Sequence, residues 1–308
     1  MILLGEVHTG LLPHSASLPP DLCEQVLGFA RGEPVRRYDR PISHLASPEL
    51  LTGIDCPMRT STGARVRAVG TVRHHATITG GRVAQGCAVT QVITSAADRR
   101  HPWTHYLARP GQIETIGKVT ATDLVDGFLS GASAGSTLDL GAISNRAMDA
   151  VQTCRALDRV PPFRAARTRL RWAASLGEPT IAFEVDRHQL RTIRISCDAG
   201  QLASVAELCE DLALHDWLLV TLLRLVERSQ IGLESPDRVV LRLRPAIDHL
   251  LHLWMPAARV HEDLLGFWQS VELRPGFTRQ WQATVDRIRD QVAIGALMLL
   301  GAGAQPAR

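Results

Sequence analysis

Three of the twelve histidines in the chain have a spacing that suits a metal site. His249 and His252 are three residues apart, so they would share one face of a helix, and His261 follows shortly after them. A zinc site needs three or four converging ligands, and these imidazoles would supply three. The alternative, which we favour, is that His249 and His252 are half-exposed structural side chains beside an apolar helix stripe.

A cluster of arginines is the strongest charge feature. Arg167, Arg169 and Arg171 alternate, so they would share one face of a β-strand, and Arg187 and Arg191 follow on a hairpin that would extend this face. Guanidinium groups bind carboxylate and phosphate oxygens through two parallel hydrogen bonds. The pattern therefore predicts a docking face for phosphate, an acidic partner or RNA. The alternative is an ordinary solvated strand face, and we do not expect nucleic acid, because aromatic residues that would stack on bases are few.

The sequence lacks the common catalytic signatures. Lys118 is the only lysine among 34 basic residues, and Val119 follows it where a P-loop needs Ser or Thr to hold Mg²⁺. No G-x-S-x-G, G-x-G-x-x-G or H-E-x-x-H pattern occurs, so hydrolase, dinucleotide and zinc-protease sites have no local support. His101 and His105 have ligand spacing, but Pro102 argues against a regular helical face. We predict no cofactor.

The elements that would position these residues are strands first and helices later. Gly80-Gly81 lies between two strand-like runs, 65–79 and 82–94, which is typical of a tight hairpin. A second hairpin is predicted where runs 180–185 and 190–197 flank a polar turn that begins at Asp186.

From about residue 200 the hydrophobic period changes from two to 3.6, which predicts helices. Ser204 and Glu207 have the spacing of a capping box at the start of a long helix. Pro245 is predicted to start a further helix and Pro256 to end it. A last helix is predicted from about Thr278.

These patterns predict an α+β protein with a β-rich N-terminal module, built from antiparallel hairpins, and a C-terminal helical bundle. The predicted divisions are a β-rich module at 1–130, a Gly/Ser-rich connection with a short helix and the Arg-rich hairpin at 131–200, and the helical bundle at 201–308. The composition, 45% hydrophobic and 21% charged, is that of an ordinary globular protein, and 308 residues are enough for two cores.

The cysteines and the apolar runs bear on location. The six cysteines are scattered without a C-x-x-C pair, so we predict reduced thiols and a cytoplasmic protein. The longest apolar run, 292–300, is far shorter than the roughly 20 residues of a membrane-spanning helix. We therefore predict no membrane association and assign this run to a buried final helix or a subunit contact.

Four segments in the first 110 residues carry a family resemblance: MILLGEVHTGLLP at 1–13, SPELLTG at 47–53, ARVRAVG at 64–70 and HYLARP at 105–110. They resemble a family of uncharacterised full-length actinobacterial proteins that is encoded beside a variant P-loop protein. The resemblance implies membership of a multi-component cytoplasmic assembly with a P-loop-type protein as a candidate partner. It implies no activity and no functional residues.

We therefore predict a non-catalytic scaffold or adaptor subunit of a multi-protein system. Its contacts would be the Arg-rich middle and the C-terminal helix, through which the chain would also oligomerise. Two alternatives stay open: a metal-dependent enzyme that uses the His249, His252 and His261 group, and a nucleic-acid-binding module that uses the Arg-rich middle.

Overall fold

The structure is a computed structural model that describes residues 1–30, 32–95, 99–130, 136–187 and 190–303, with the side chains of 186, 187 and 299–303 left out. Most of the predicted Gly/Ser-rich connection and the end of the second hairpin turn lie outside these residues. The predicted α+β class is confirmed, because strands fill most of the N-terminal part and helices the C-terminal part.

The strands in the described ranges form one mixed, ten-stranded sheet. They are β1 (Ile2–Leu11), β2 (Arg36–Tyr38), β3 (His44–Ala46), β4 (Leu50–Arg59), β5 (Arg65–Thr79), β6 (Val83–Thr94), β7 (Gln112–Ile116), β8 (Thr168–Leu176), β9 (Thr180–Arg187) and β10 (Leu190–Cys197). Their order is β2-β3-β5-β7-β6-β1-β8-β10-β9, with β4 on β5 and a further β5–β6 pairing. Because β8 pairs with β1, the sheet continues across the predicted division at residue 130.

The helices in the same ranges are α1 (Pro20–Leu27), α2 (Trp103–Leu107), α3 (Ala121–Ser130), α4 (Leu140–Gln152), α5 (Val205–Arg228), α6 (Pro236–His249), α7 (Leu265–Leu273) and α8 (Phe277–Gly303). Short 3₁₀ turns lie at Leu202–Ser204, Leu251–Leu253 and Glu262–Leu264. Within the described chain, no helix combines the length and the apolar character needed to cross a membrane.

Helices cover both faces of the sheet around β1. On β1, Leu3 and Val7 pack into the core formed with α5, while Ile2 and Leu4 pack into the core formed with α3 and α4. A strand that is buried on both faces is often apolar at consecutive positions, and Ile2, Leu3 and Leu4 at the start of β1 have this pattern. The main core joins the sheet to the C-terminal helices, so the helical part is packed directly on the strands.

Both predicted hairpins are confirmed. Thr79 pairs with Val83, and the turn between them has Gly80 at φ 59° and Gly81 at φ 61°. Two positive φ values are the geometry of a type I′ turn, which glycine adopts without steric cost. The second hairpin pairs β9 with β10 and places Phe183 opposite Ile193.

One of the predicted helix starts is wrong, and the other two are confirmed. The helix assigned to Pro245 begins at Pro236 and ends at His249, before Pro256, because the buried stripe that begins at Val239 extends across Pro245. The long helix α5 begins at Val205, directly after Ser204, as predicted. The capping bond is absent, since Ser204 belongs to a 3₁₀ turn that leads directly into α5. The final helix begins at Phe277, next to the predicted Thr278.

The contact between β6 and α4 leaves no room for a side chain at Gly86. A Cβ built there would lie 2.1 Å from the Ser144 carbonyl oxygen and 2.7 Å from the Met148 nitrogen. Both are backbone atoms, so α4 would have to shift. We expect Gly86→Ala to lower the free energy of unfolding in urea by about 3 kcal/mol, at the upper end of overpacking effects.

The matched control is Gly266→Ala in α7, where a Cβ meets nothing within 4 Å. This substitution reduces the freedom of the unfolded chain and is expected to be neutral or stabilising by about 0.4–1 kcal/mol. Equal losses of stability in the two variants would contradict the described packing of α4.

Candidate ligand-binding site

A cavity of about 370 Å³ lies between the sheet and the start of α5. Strands β2, β3, β5 and β6 form one wall, and α5 with the loop around Arg259 forms the other. The cavity is within the size range of small-molecule sites. The charged and histidine residues that line it are Arg36, Arg40, His44, Glu49, Arg73, His75, Glu207, Glu210 and Arg259.

A buried histidine and a buried glutamate meet at the cavity. His75 lies on β5 directly opposite Cys87 on β6, and Glu210 extends towards them from α5. The His75 Nε2 atom is 3.2 Å from Glu210 Oε1, and the Cys87 thiol donates to the same carboxylate. Gln85 Nε2 donates to the Glu210 backbone carbonyl at 2.9 Å, so the sheet also holds the helix at this point.

The two groups stabilise each other's charge. Burial disfavours the charged form of each, but the charge of the partner and the hydrogen bond between them outweigh it. The pKa of His75 is therefore raised, and the pKa of Glu210 is lowered. Burial, followed by the Glu210 charge, raises the pKa of the Cys87 thiol well above its usual value, so Cys87 stays protonated.

A second histidine in the cavity is held neutral. Burial, followed by the positive charge of Arg259, lowers the pKa of His44 to about 3. Its Nδ1 lies 3.0 Å from the Thr79 hydroxyl oxygen. The pKa values of the two imidazoles in the cavity are therefore shifted in opposite directions: the charged form of His75 and the neutral form of His44 are favoured.

Two guanidinium donors at the cavity have no acceptor within the described ranges. Arg73 Nε and Arg259 Nη2 are buried and make no hydrogen bond there. Arg73 Nη1 is 3.8 Å from Glu49 Oε2, and Arg259 Nη2 is 3.6 Å from Asp211 Oδ1, so both contacts are ionic and long. A buried charged donor without an acceptor is costly, and an anion in the cavity would supply acceptors.

Two groups of three side chains in the described part of the chain bring metal-ligand atoms within 4.8 Å of one another. The first is His75, Cys87 and Glu210. Since metals bind thiolate and the Cys87 thiol is held protonated, we interpret this group as an ion pair with a neutral donor. The second is the group of His101, His105 and Glu114.

The histidines predicted as metal ligands are not in either group. His249 stacks on Phe163 with ring centroids 6.2 Å apart, and the pKa of His249 is lowered by burial and then by Arg82. The pKa of His252 is lowered by the same two causes. His261 is exposed and caps a 3₁₀ turn, with Nδ1 3.3 Å from Asp263.

Three of the predicted docking arginines share a face, and helices cover that face. Arg167 Nη2 lies 2.7 Å from Asp149 Oδ1 on α4. Arg169 and Arg171 both donate to Glu6, whose side chain is fully buried on β1. Arg171 also donates to the Phe128 carbonyl at 2.9 Å. These guanidinium groups therefore bind acceptors within the chain.

The hairpin does not extend this face with Arg191. Arg191 pairs in register with Leu170 rather than with Arg169 or Arg171, so it lies on the opposite face of the sheet. There Arg191 Nε lies 3.1 Å from Asp216 Oδ1 on α5. The Arg187 side chain lies outside the described residues.

Sequence reasoning did not select His75, Glu210, Arg73 or Arg259. His74, the neighbour of His75 on β5, points to the opposite face of the sheet, where its Nε2 atom lies 3.1 Å from the Thr52 hydroxyl oxygen. The sequence of α5 contains a signal for these buried partners, because apolar residues lie on all sides of its acidic residues. A helix that is apolar on all sides is buried, so its charged residues require partners.

No protein-family model matches the chain, no curated protein matches it, and no solved structure matches it.

The His75–Glu210 pair predicts a pH dependence of stability. Because the pKa of His75 is raised in the folded state, its stabilisation is complete below its ordinary pKa of 6.5 and is lost as pH rises through the folded value. Because the pKa of Glu210 is lowered, its stabilisation is complete above the ordinary 4.5 and is lost as pH falls through the folded value. The pair therefore stabilises the fold most between these two values.

Urea unfolding of the natural chain and of Glu210→Gln across pH 4–9 checks this. The stability advantage of the natural chain over the variant is expected to shrink as pH rises above 6.5. The control is Glu262→Gln, an exposed position, for which the difference should be independent of pH. An advantage that grows above pH 6.5 would contradict the charged pair.

Proposed function

We propose that the protein binds a small anionic molecule, bearing carboxylate or phosphate, in the cavity between the sheet and α5. The observation that carries the proposal is that two arginines lining the cavity, Arg73 and Arg259, each have a buried donor atom, Nε and Nη2 respectively, without an acceptor among the described residues. Guanidinium groups are the side chains best suited to oxyanions.

The charge of the lining supports the same ligand class. Four arginines and three glutamates line the cavity. When His75 is protonated, its charge offsets that of Glu210. The four arginines then outnumber the two remaining glutamates, so the lining has a net charge of two positive charges. A cavity with low-dielectric walls and one sign of excess charge concentrates ligands of the opposite sign.

The test uses the full chain with inorganic phosphate, pyrophosphate and malonate as probes, followed by thermal unfolding and by titration calorimetry. At least one probe is expected to bind and to raise Tm, since a ligand at a hundred times its Kd stabilises the folded state by about 2.7 kcal/mol. Arg259→Met and Arg73→Met are expected to lose most of this effect.

The matched control is Arg244→Met. Arg244 is a surface residue on α6 that is paired with Asp248 and lies outside the cavity lining. The proposal fails when none of the three anions binds, or when both cavity variants bind as tightly as the control.

A second candidate is the subunit role in a cytoplasmic assembly, as a scaffold or adaptor, that the sequence predicts. It is favoured by apolar side chains near the end of α8: Ile294 is 41% exposed, Met298 57% and Leu297 68%. Leu241 on α6, which packs against α8, is exposed as well. Neighbouring exposed apolar residues mark contact surfaces. We propose that a second copy of the chain binds at these residues of α8 and α6.

Light scattering over a concentration series tests this assignment. The natural chain is expected to have at least twice the monomer mass of 33.7 kDa, and Leu297→Glu is expected to be monomeric, because a buried charge opposes association. Leu233→Glu, at an exposed position before α6, is the control. A natural chain that is monomeric at every concentration would refute the assignment.

A further inference from the structure

The second group of metal-ligand side chains lies away from the cavity, where α2 packs on the sheet. His101 immediately precedes Pro102, the residue before α2, and His105 lies within the helix. Their rings stack with centroids 4.2 Å apart, so the two imidazoles are side by side. Pro102 was expected to prevent a helical face shared by His101 and His105. In the structure His101 lies just before the helix, and its ring still stacks on that of His105.

A buried carboxylate completes the group. Glu114 lies on β7, with β5 and β6 on either side, and its side chain is 6% exposed. His105 Nε2 is 2.7 Å from Glu114 Oε1. A ligand atom of His101, one of His105 and one of Glu114 all lie within 4.8 Å of one another. Two imidazoles and one carboxylate are a recurrent ligand set for zinc and for other first-row divalent metals in sites that keep an open position.

Neighbouring groups fix this arrangement. The Tyr106 hydroxyl accepts a hydrogen bond from the His101 backbone N–H at 3.0 Å, and the Tyr106 side chain is buried. The Tyr106 ring also meets the ring of His105 edge-on, with centroids 5.1 Å apart. Supporting contacts of this kind hold ligand side chains in orientation around a metal.

The guanidinium group of Arg109 lies beside the Glu114 carboxylate and the His105 ring. Arg109 Nη1 is 2.9 Å from Glu114 Oε1 and 3.4 Å from His105 Nε2. The Arg109 side chain is 50% exposed, so it can turn into solvent without loss of a packed environment. A metal ion and the Arg109 guanidinium would therefore compete for the same carboxylate oxygen.

We propose that His101, His105 and Glu114 bind one divalent transition-metal ion, with Arg109 occupying the position when the ion is absent. Three protein ligands leave at least one coordination position for water or another ligand. The site is independent of the anion cavity, because none of its residues lines that cavity.

The test is titration of the purified, metal-stripped full chain with Co²⁺ followed by visible absorption, and with Zn²⁺ by calorimetry. One ion per chain is expected. His101→Ala and His105→Ala are expected to weaken binding by at least about 100-fold, since loss of a ligand exceeds the 10–100-fold loss for a supporting residue. Arg109→Met is expected to tighten binding, because it removes the competing cation while keeping the length of the side chain.

Two controls locate the ion. His261→Ala, an exposed histidine far along the chain, is expected to leave binding unchanged. Cys87→Ala is expected to leave it unchanged too, and the Co²⁺ complex is expected to lack the sulfur charge-transfer absorption that a Cys87 ligand would produce. Arg109 is a surface residue, so its variant remains informative if a histidine variant fails to fold.

The proposal is overturned by the absence of stoichiometric binding, by binding that survives both histidine substitutions, or by a sulfur charge-transfer band. Looser binding in Arg109→Met would also count against it. Failure of the anion test leaves these measurements unaffected, because the two sites share no residue.

Discussion

The fold depends on pairing the charged side chains of a buried helix. Most of α5 is buried, and it carries Glu210, Asp211 and Asp216 into the interior. Isolated charges there would be strongly destabilising, so each is paired: Glu210 with His75 of β5, Asp216 with Arg191 of β10, and Asp211 through Oδ2 with the Ala257 backbone N–H. These contacts attach α5 to the sheet and to the loop that closes the cavity.

The same constraint explains why the arginine cluster is internal. Around β1, β8 and β10, where helices cover both faces of the sheet, charged residues have no solvated face. Glu6 therefore accepts from Arg169 and Arg171 beneath α3 and α4, while Arg191 reaches α5 on the other side. Removal of one partner from a buried pair leaves an uncompensated charge. We therefore regard these arginines as part of the core.

The sequence predicted correctly those parts of the fold that are determined by residues close together in the chain. The Gly80-Gly81 turn and the start of the last helix depend on neighbouring residues, and both predictions are confirmed. The start at Pro245 was wrong because packing of residues distant in sequence decides where α6 begins. The cavity was not predicted, since His75 and Glu210 are 135 positions apart in the sequence and only the placement of α5 on the sheet brings them together.

A charged His75–Glu210 pair links α5 to the sheet beside the cavity. A double-mutant cycle with His75→Gln, Glu210→Gln and the double variant, measured by urea unfolding at pH 6, determines the strength of this link. We expect a coupling free energy of about 1–3 kcal/mol, as for residues that share one buried network. Losses of stability that add within about 0.5 kcal/mol would show that the two residues do not interact and that α5 is held on the sheet by other contacts.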